Sequence, residues 1–296
     1  MGEEQAYRLL DKKELALRQK DHDRDDSRKT VDEVFDHSTL KAVYKLMSEG
    51  AFSTIEFAIV TGKEAKVFVA LKADGTMVAV KIFRTSNAFF KNMSQYITGD
   101  PRFATAKGSR RRIIFTWTQK EFRNLSQAHD AGVRVPRPLA VEKNVLVMEY
   151  IGTENGAAPM MKDADIEDPR GFCEMVMEQY EALYLKGRLI HADMSEYNVL
   201  YYLGLPYLID MGQAVGPSHP MAKEFLRRDM VNISRVFKKF GILVDPEGKA
   251  KELERKAREA AEAAKKERQG MDEAEEEVEE QGRLDDSGDD RTEGDD

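Results

Sequence analysis

The chain has 296 residues, 41% hydrophobic and 34% charged, enough material for one large bilobal body or about two domains. No apolar run reaches the ~18 residues of a membrane-spanning helix, and the first residues lack the charged-then-apolar pattern of a signal peptide. One cysteine, Cys173, excludes an internal disulfide and a cysteine-built zinc site, so a reducing, cytoplasmic setting without membrane contact is expected. Charge is unevenly spread. The net is −8, but residues 270–296 hold fourteen acids against two arginines, a net of −12, which leaves +4 on the rest. That weakly basic body gives only a faint pull toward an anion such as RNA. Gly2 does not read as a lipidation site, because Ala6 stands where Ser or Thr is needed.

In chain order, residues 1–30 are almost all polar and read as a mobile or surface segment. A helix follows, with Ser38 as its cap, Leu40, Val43, Tyr44 and Met47 on one face, and Gly50 as its stop. Residues 57–60, 66–71 and 77–83 give three antiparallel strands, the last two joined at Asp74-Gly75 with positive φ expected at both. Residues 84–112 lose periodicity, carry the basic cluster Lys107 to Arg112, and read as a flexible loop. A helix over 116–131 stops at Gly132, and strands at 139–142 and 144–150 follow. Long helices are expected over 170–186 and 223–240, with short apolar strands at 198–202 and 207–209 between them. Residues 249–268 favour a helix rich in i,i+4 charge pairs with almost no apolar face, and the acidic end reads as disordered. Strands with one helix first and helices afterwards fit two lobes.

The strongest chemical signal is His191-Ala-Asp193-Met-Ser195-Glu-Tyr-Asn198, followed by Ile209-Asp210. Phosphoryl transfer needs a carboxylate at the attacking oxygen and oxygen ligands for magnesium. Asp193 suits the first role, Asn198 and Asp210 the second. Asp and Asn also make ordinary surface turns, but here they lie between apolar strands. Lys81, in the middle of Val78-Ala79-Val80-Lys81-Ile82-Phe83, is costly to bury without a carboxylate, and Glu121 is the candidate partner. Alternation alone would also allow Lys81 on a solvent face. Thr61-Gly62-Lys63-Glu64-Ala65 turns where a phosphate cradle belongs, although one glycine matches no standard phosphate-loop pattern. Met148, Glu149 and Ile151 would form a hinge whose backbone meets adenine.

These segments resemble the RIO family of atypical serine/threonine protein kinases, closest to the serine-kinase subfamily shared by archaea and eukaryotes. The likeness runs from about Thr30 to Phe240, through the 61–65, 191–198 and 209–215 segments and His219-Pro220 to Asp229. It implies an α+β, two-lobed protein-kinase-like fold, with a β-rich N-lobe, a reduced and mainly helical C-lobe, and an N-terminal helical extension. The corresponding division is 1–50 extension, 51–150 N-lobe with the flexible loop 84–112, 151–246 C-lobe and 247–296 charged tail. It further implies ATP with Mg2+ or Mn2+, catalysis by Lys81, Asp193 and Asp210, and metal ligation by Asn198 and Asp210. Thr61, Gly62, Lys63, Glu64, Val67, Ala79, Lys81, Glu121, Met148, Glu149, Ile151 and Ser195 would line the nucleotide site. Also implied are autophosphorylation, with Ser109 a candidate, a phosphoaspartate at Asp210, and work on the pre-ribosomal small subunit particle and its RNA; apart from the resemblance, a monomer is expected. Val60 and Lys66 depart from the family pattern, which puts the phosphate-loop contacts in question. Two other readings stay open, a non-catalytic RNA-binding scaffold and a small-molecule phosphotransferase.

Overall fold

The computed structural model describes residues 36–85, 90–97, 99–103 and 109–286. The polar N-terminal stretch, the first residues of the basic cluster and the last ten acidic-tail residues lie outside them. Helix α1, His37–Ser48, is capped by Asp36 rather than Ser38, because the Asp36 carboxylate accepts from the Thr39 amide at 2.8 Å and its hydroxyl at 2.9 Å. Strands β1 (Thr54–Thr61), β2 (Ala65–Leu71), β3 (Met77–Phe83), β4 (Pro138–Glu142) and β5 (Val145–Glu149) form one antiparallel sheet ordered β1-β2-β3-β5-β4. The β2–β3 turn departs from expectation. Only Gly75 has positive φ, at 83°, and the Lys72 amide reaches the Thr76 carbonyl, so the loop is longer than two residues.

Period-2 alternation sorts this sheet into two faces. Val78, Val80 and Ile82 of β3 join Phe68, Ala70, Val145 and Val147 under Ala42, Val43 and Leu46 of α1. Tyr44 and Met47 of the expected face are only partly buried. The opposite face, with Ala79, Lys81 and Phe83, therefore looks toward the rest of the molecule. Asn144 locks the helix to the sheet, donating to the Thr39 hydroxyl at 2.9 Å and the Phe83 carbonyl at 2.8 Å.

The expected loop over 84–112 is largely structured among its described residues. It holds helix α2, Phe90–Ile97, a single turn at Pro101–Phe103, and the start of helix α3, which begins at Arg110 rather than 116. Met93, Tyr96, Ile97 and Phe103 are buried in the main core. Tyr96 stacks on Phe225 at 5.2 Å between ring centres and meets Trp117 edge-on at 6.1 Å. Met93, Tyr96 and Ile97 stand at helical spacing, so the expectation of a loop overlooked a short apolar period, and burial against residues far along the chain completes the folding of this segment. Helix α3 runs Arg110–Asp130 and ends where Gly132 takes φ of 76°, a left-handed stop that costs glycine little.

The C-lobe begins with a small hairpin, β6 (Gly152–Thr153) and β7 (Gly156–Ala157), absent from the expectation. Helix α4, Pro169–Leu185, buries Phe172, Cys173, Val176, Tyr180, Leu183 and Tyr184 at helical spacing. The hairpin of β8 (Val199–Tyr202) and β9 (Leu205–Leu208) precedes helix α5, Ala222–Lys238. Helix α6 runs Pro246–Asp286, so the acidic stretch through Asp286 is helical rather than disordered. Its first turns carry a narrow apolar contact where almost none was expected. Ala250 and Leu253 are buried in the main core, and Lys256 bonds Glu181 of α4 at 2.6 Å. No helix among the described residues is long and apolar enough to cross a membrane.

Candidate active site

Lys81 lies on the sheet face that looks into the cleft between the lobes, and α3 brings its partner. The ammonium donates to both Glu121 oxygens, at 2.7 and 3.0 Å, and to Asp210 Oδ1 at 3.1 Å. Solvent exposure of Lys81 on a free strand face is thereby ruled out. Burial opposes its charge, but the carboxylates of Asp210 and Glu121 overcome that and lift it above the ordinary lysine value. Burial also pushes Glu121 up to about 7, against the pull of Lys81. The two tendencies conflict within one pair. The two-oxygen contact is that of an ionised carboxylate, so the pair is charged near neutrality. Deleting one partner would strand a buried charge, at a cost of about 3–5 kcal/mol.

The loop before β8 carries the candidate base. Ala192 has φ of 64°, an uncommon conformation for a residue with a Cβ. Asp229 of α5 sustains it. That buried carboxylate accepts from the amides of Ala192 at 2.8 Å and Met194 at 3.0 Å, and from the Tyr180 hydroxyl at 2.7 Å. Arg228 donates to the Ala192 carbonyl, so α5 grips both sides of this residue. Asp193 then projects into the cleft, where Oδ2 accepts from Gln213 at 2.8 Å and Asn198 at 3.3 Å. Burial raises the Asp193 carboxyl above its ordinary value, with Asp210 adding to the rise and His191 opposing it. Asn198 Nδ2 also donates to the Asp193 carbonyl at 2.8 Å, which spends its donors and leaves Oδ1 as an acceptor.

Asp210 follows β9 in the left-handed region, with φ 62° and ψ 60°. Burial works against its charge and Lys81 more than compensates, holding the carboxyl below the usual aspartate range. Its side chain is still 43% exposed, so it can serve a ligand in the cleft. An aspartate oxygen and an amide oxygen on adjacent loops are hard ligands of the kind magnesium takes. The residues present fit that ion. His191 tightens the arrangement through a 3.0 Å bond to the Ile209 carbonyl, and the Ile209 amide reaches the Asn198 carbonyl at 3.0 Å.

With this geometry in place, likeness to known proteins decides the family. A family model described as the RIO domain matches residues 66–249. The RIO-type serine/threonine-protein kinase Rio1 of Haloferax volcanii is 41% identical over 79% of this chain and 84% of its own. The chain belongs to the RIO family of serine/threonine-protein kinases. The Rio1 of Thermoplasma acidophilum is 45% identical over 57% of this chain and 89% of its own. Human serine/threonine-protein kinase RIO1 is 35% identical, and this chain spans only 41% of its length. The solved Rio2 kinase–ADP/Mg2+–phosphoaspartate complex of Chaetomium thermophilum matches with a TM-score of 0.57 over 77% of this chain and 76% of its own. At 18% identity it supports the fold alone. The two-lobed, protein-kinase-like α+β expectation therefore holds.

Other expected RIO positions fall around the cleft with different degrees of engagement. Val67 sits opposite Lys81 in the sheet and Ala79 opposite Met148, placing all four around one patch of β2, β3 and β5. Ile151 is buried, and Glu149 gives its amide to the Arg137 carbonyl at 2.8 Å, so that amide is already committed. Thr61 and Lys63 are exposed at the β1–β2 turn, closed by a 3.0 Å bond from the Gly62 amide to the Ala65 carbonyl. Burial, helped by the Asp210 charge, raises the Glu64 carboxyl above its ordinary value. The Ser195 carbonyl accepts from the Asn198 amide at 3.0 Å and so shapes the turn. Of the departures, Val60 is exposed, whereas Lys66 is buried with its ammonium 5.6 Å from the Phe68 ring centre. Gln213, Arg228 and Asp229 lie in the family-like segments 209–215 and His219 to Asp229 but are given no role by the sequence. A charged Arg-Asp pair on the buried face of an amphipathic helix was the available signal for the last two.

Proposed function

We propose that this RIO chain transfers the γ-phosphoryl group of Mg-ATP, both to serine or threonine and to water. The observation that carries the reading is the convergence of Lys81, Glu121 and Asp210 within hydrogen-bond reach beside Asp193 and Asn198. Lys81 would hold phosphate oxygens, and Glu121 would keep it extended into the cleft. Asn198 and Asp210 would hold magnesium, which supplies charge neutralisation on the phosphates. With Oδ2 of Asp193 occupied by Gln213 and Asn198, Oδ1 is the atom that receives the acceptor hydroxyl proton. Adenine would lie against Val67, Ala79 and Met148, with backbone contacts from Glu149 and Ile151. The turn at Thr61 to Glu64 would cover the phosphates, and Ser195 would support the loop that presents Asp193.

In the ATPase branch, an Asp210 carboxylate oxygen bonds to the γ-phosphorus as the bond to ADP breaks, and water then releases the phosphate. The Rio2 complex named above contains such a phosphoaspartate, and Asp210 is the matching residue of this chain by family resemblance. Ser109 fits an autophosphorylation acceptor, because it is exposed at the start of α3 and its side chain makes no capping bond there. Family resemblance further supports a part in small ribosomal subunit maturation, with pre-ribosomal RNA as a contact; the single cysteine fits a reducing, cytoplasmic setting, and a monomer is the proposed state.

The test is incubation with γ-labelled ATP and magnesium, comparing the parent with Asp193→Ala and Asp210→Ala. Released phosphate and hydroxylamine-labile protein label should disappear in Asp210→Ala, and label on hydroxyl residues should disappear in both. Turnover equal in parent and variants would refute the reading and leave a nucleotide-binding scaffold.

A further inference from the structure

Lys120 and Glu121 are neighbours on α3, yet only Glu121 serves the cleft directly. Lys120 is wholly buried, and among the described residues it makes no ion pair. Its ammonium donates instead to the carbonyl of Gly212, at 2.8 Å, and to that of Ala214. One helical turn on, Asn124 gives its amide hydrogens to the carbonyls of Met211 and Ala214, each at 2.8 Å. Two side chains of one helix face thus bind three carbonyls of the loop that follows Asp210.

A buried lysine is a costly way to fill space, and burial pushes this one down to about 7. Methionine or leucine would pack there without desolvating a charge. What a lysine adds is donor capacity for carbonyls that have turned toward α3. Asp210 itself holds a left-handed conformation uncommon for a residue with a side chain, so its backbone needs external support. Gly212 completes the fit, because a Cβ there would stand 3.0 Å from the Trp117 ring.

We propose that Lys120 and Asn124 are positioning residues for the metal loop, fixing Asp210 in its left-handed conformation and thereby setting the affinity of the nucleotide-bound site for magnesium. The inference rests on the reading of Asp210 as a metal ligand. Since α3 also carries Glu121, the same helix orients the phosphate-binding lysine and the metal-binding aspartate.

Trp117 is the chain's one tryptophan and lies against Gly212, so its fluorescence reports the loop without turnover. The experiment titrates magnesium chloride into the full-length protein with saturating ADP. It compares the parent with Lys120→Met, Lys120→Gln, Asn124→Ala and Asp210→Ala. Lys120→Met should raise the magnesium midpoint by about tenfold or more, the usual size of a change behind the ligand shell. Lys120→Gln restores a neutral donor and should recover part of the loss, while metal-free ADP affinity stays within about twofold. A folded Lys120→Met protein with a midpoint within about twofold of the parent overturns the proposal. If that variant does not fold, Asn124→Ala decides, and an unchanged midpoint there overturns it equally. A midpoint unaltered in Asp210→Ala would instead remove the metal-ligand reading of Asp210, a separate failure.

Discussion

Asp229→Asn isolates the support beneath the catalytic loop with almost no change of shape. The native carboxylate serves Ala192 and Tyr180 through Oδ2 and Met194 through Oδ1. An amide has one acceptor oxygen, and the orientation that loses least keeps it at Oδ2. The Met194 amide then faces an NH2 group, and an orphaned buried donor costs about 1–3 kcal/mol. The two remaining bonds lose charge assistance, worth about 1 kcal/mol each. Burial raises the Asp229 carboxyl above its ordinary value, so the charge is itself held at a cost, and removing it returns part of the loss. The net expectation is about 2–4 kcal/mol, within the 5–15 kcal/mol that a typical domain has to lose. Ala192 at φ 64° would relax, since a left-handed residue with a Cβ stores about 1–2 kcal/mol. A resulting displacement of Asp193 by about 1 Å should lower kcat up to about a hundredfold. Urea denaturation and steady-state ATP turnover measure the two effects. KM for ATP should change little, because the Lys81–Glu121 pair is untouched. Stability within about 0.5 kcal/mol of the parent together with unchanged kcat would refute the argument.

The raised Asp193 carboxyl must lose its proton to act as a base, so activity is lost as pH falls through that value. The acid limb of kcat should therefore lie above the ~3.9 of a free aspartate, and a limb at or below it, measured at saturating Mg-ATP, contradicts the assignment. Lys120 has its folded pKa depressed to about 7, against ~10.4 when unfolded, so between those limits the unfolded chain binds more protons and parent stability rises with pH. The slope is at most about 1.4 kcal/mol per pH unit, and Lys120→Met should lose it in parallel urea titrations at pH 7.5 to 9.5, chosen as about the middle of that window. Gly212→Ala drives a methyl to 3.0 Å from the Trp117 ring and should cost about 1–3 kcal/mol in thermal unfolding, with a shifted Trp117 emission.

What the sequence disclosed depended on whether a local pattern carried the information. Strand β3 is apolar on both faces apart from Lys81, so alternation alone left Lys81 inside or out, and the Asp193, Asn198 and Asp210 set elsewhere in the chain favoured the inner face that the structure shows. The order of Asp193, Asn198 and Asp210 carried the proposed chemistry, and the structure places them on adjacent loops beside Lys81. Helix α2 escaped although its buried Met93, Tyr96 and Ile97 recur at helical spacing, because an eight-residue element is too short a run to stand out, and the Tyr96 partners Phe225 and Trp117 lie far along the chain. The face of α6 escaped because Ala250 and Leu253 are too few to mark an apolar stripe among so many charges. Asp36 outcompeted Ser38 as a cap through Thr39, three residues on, a choice that composition alone does not make.

Helix geometry explains why α3 can serve both lobes at once. Successive residues on a helix point about 100° apart, so Glu121 can turn to Lys81 while Lys120 turns to the loop after Asp210. Asn124 falls beneath Lys120 one turn later and reaches the same loop. Such a helix is useful only if its own axis is fixed. That support comes from the 84–112 segment, where Tyr96 wedges between Trp117 of α3 and Phe225 of α5 and receives a 3.2 Å bond from Arg228. Arg228 also holds the Ala192 carbonyl beside Asp193. A change that undocks α2 would therefore act on Asp193 through α5 and on Lys81 and Asp210 through α3. The segment expected to be a flexible loop thus lies against α3 and α5, the helices that hold the Asp210 loop and the Asp193 loop.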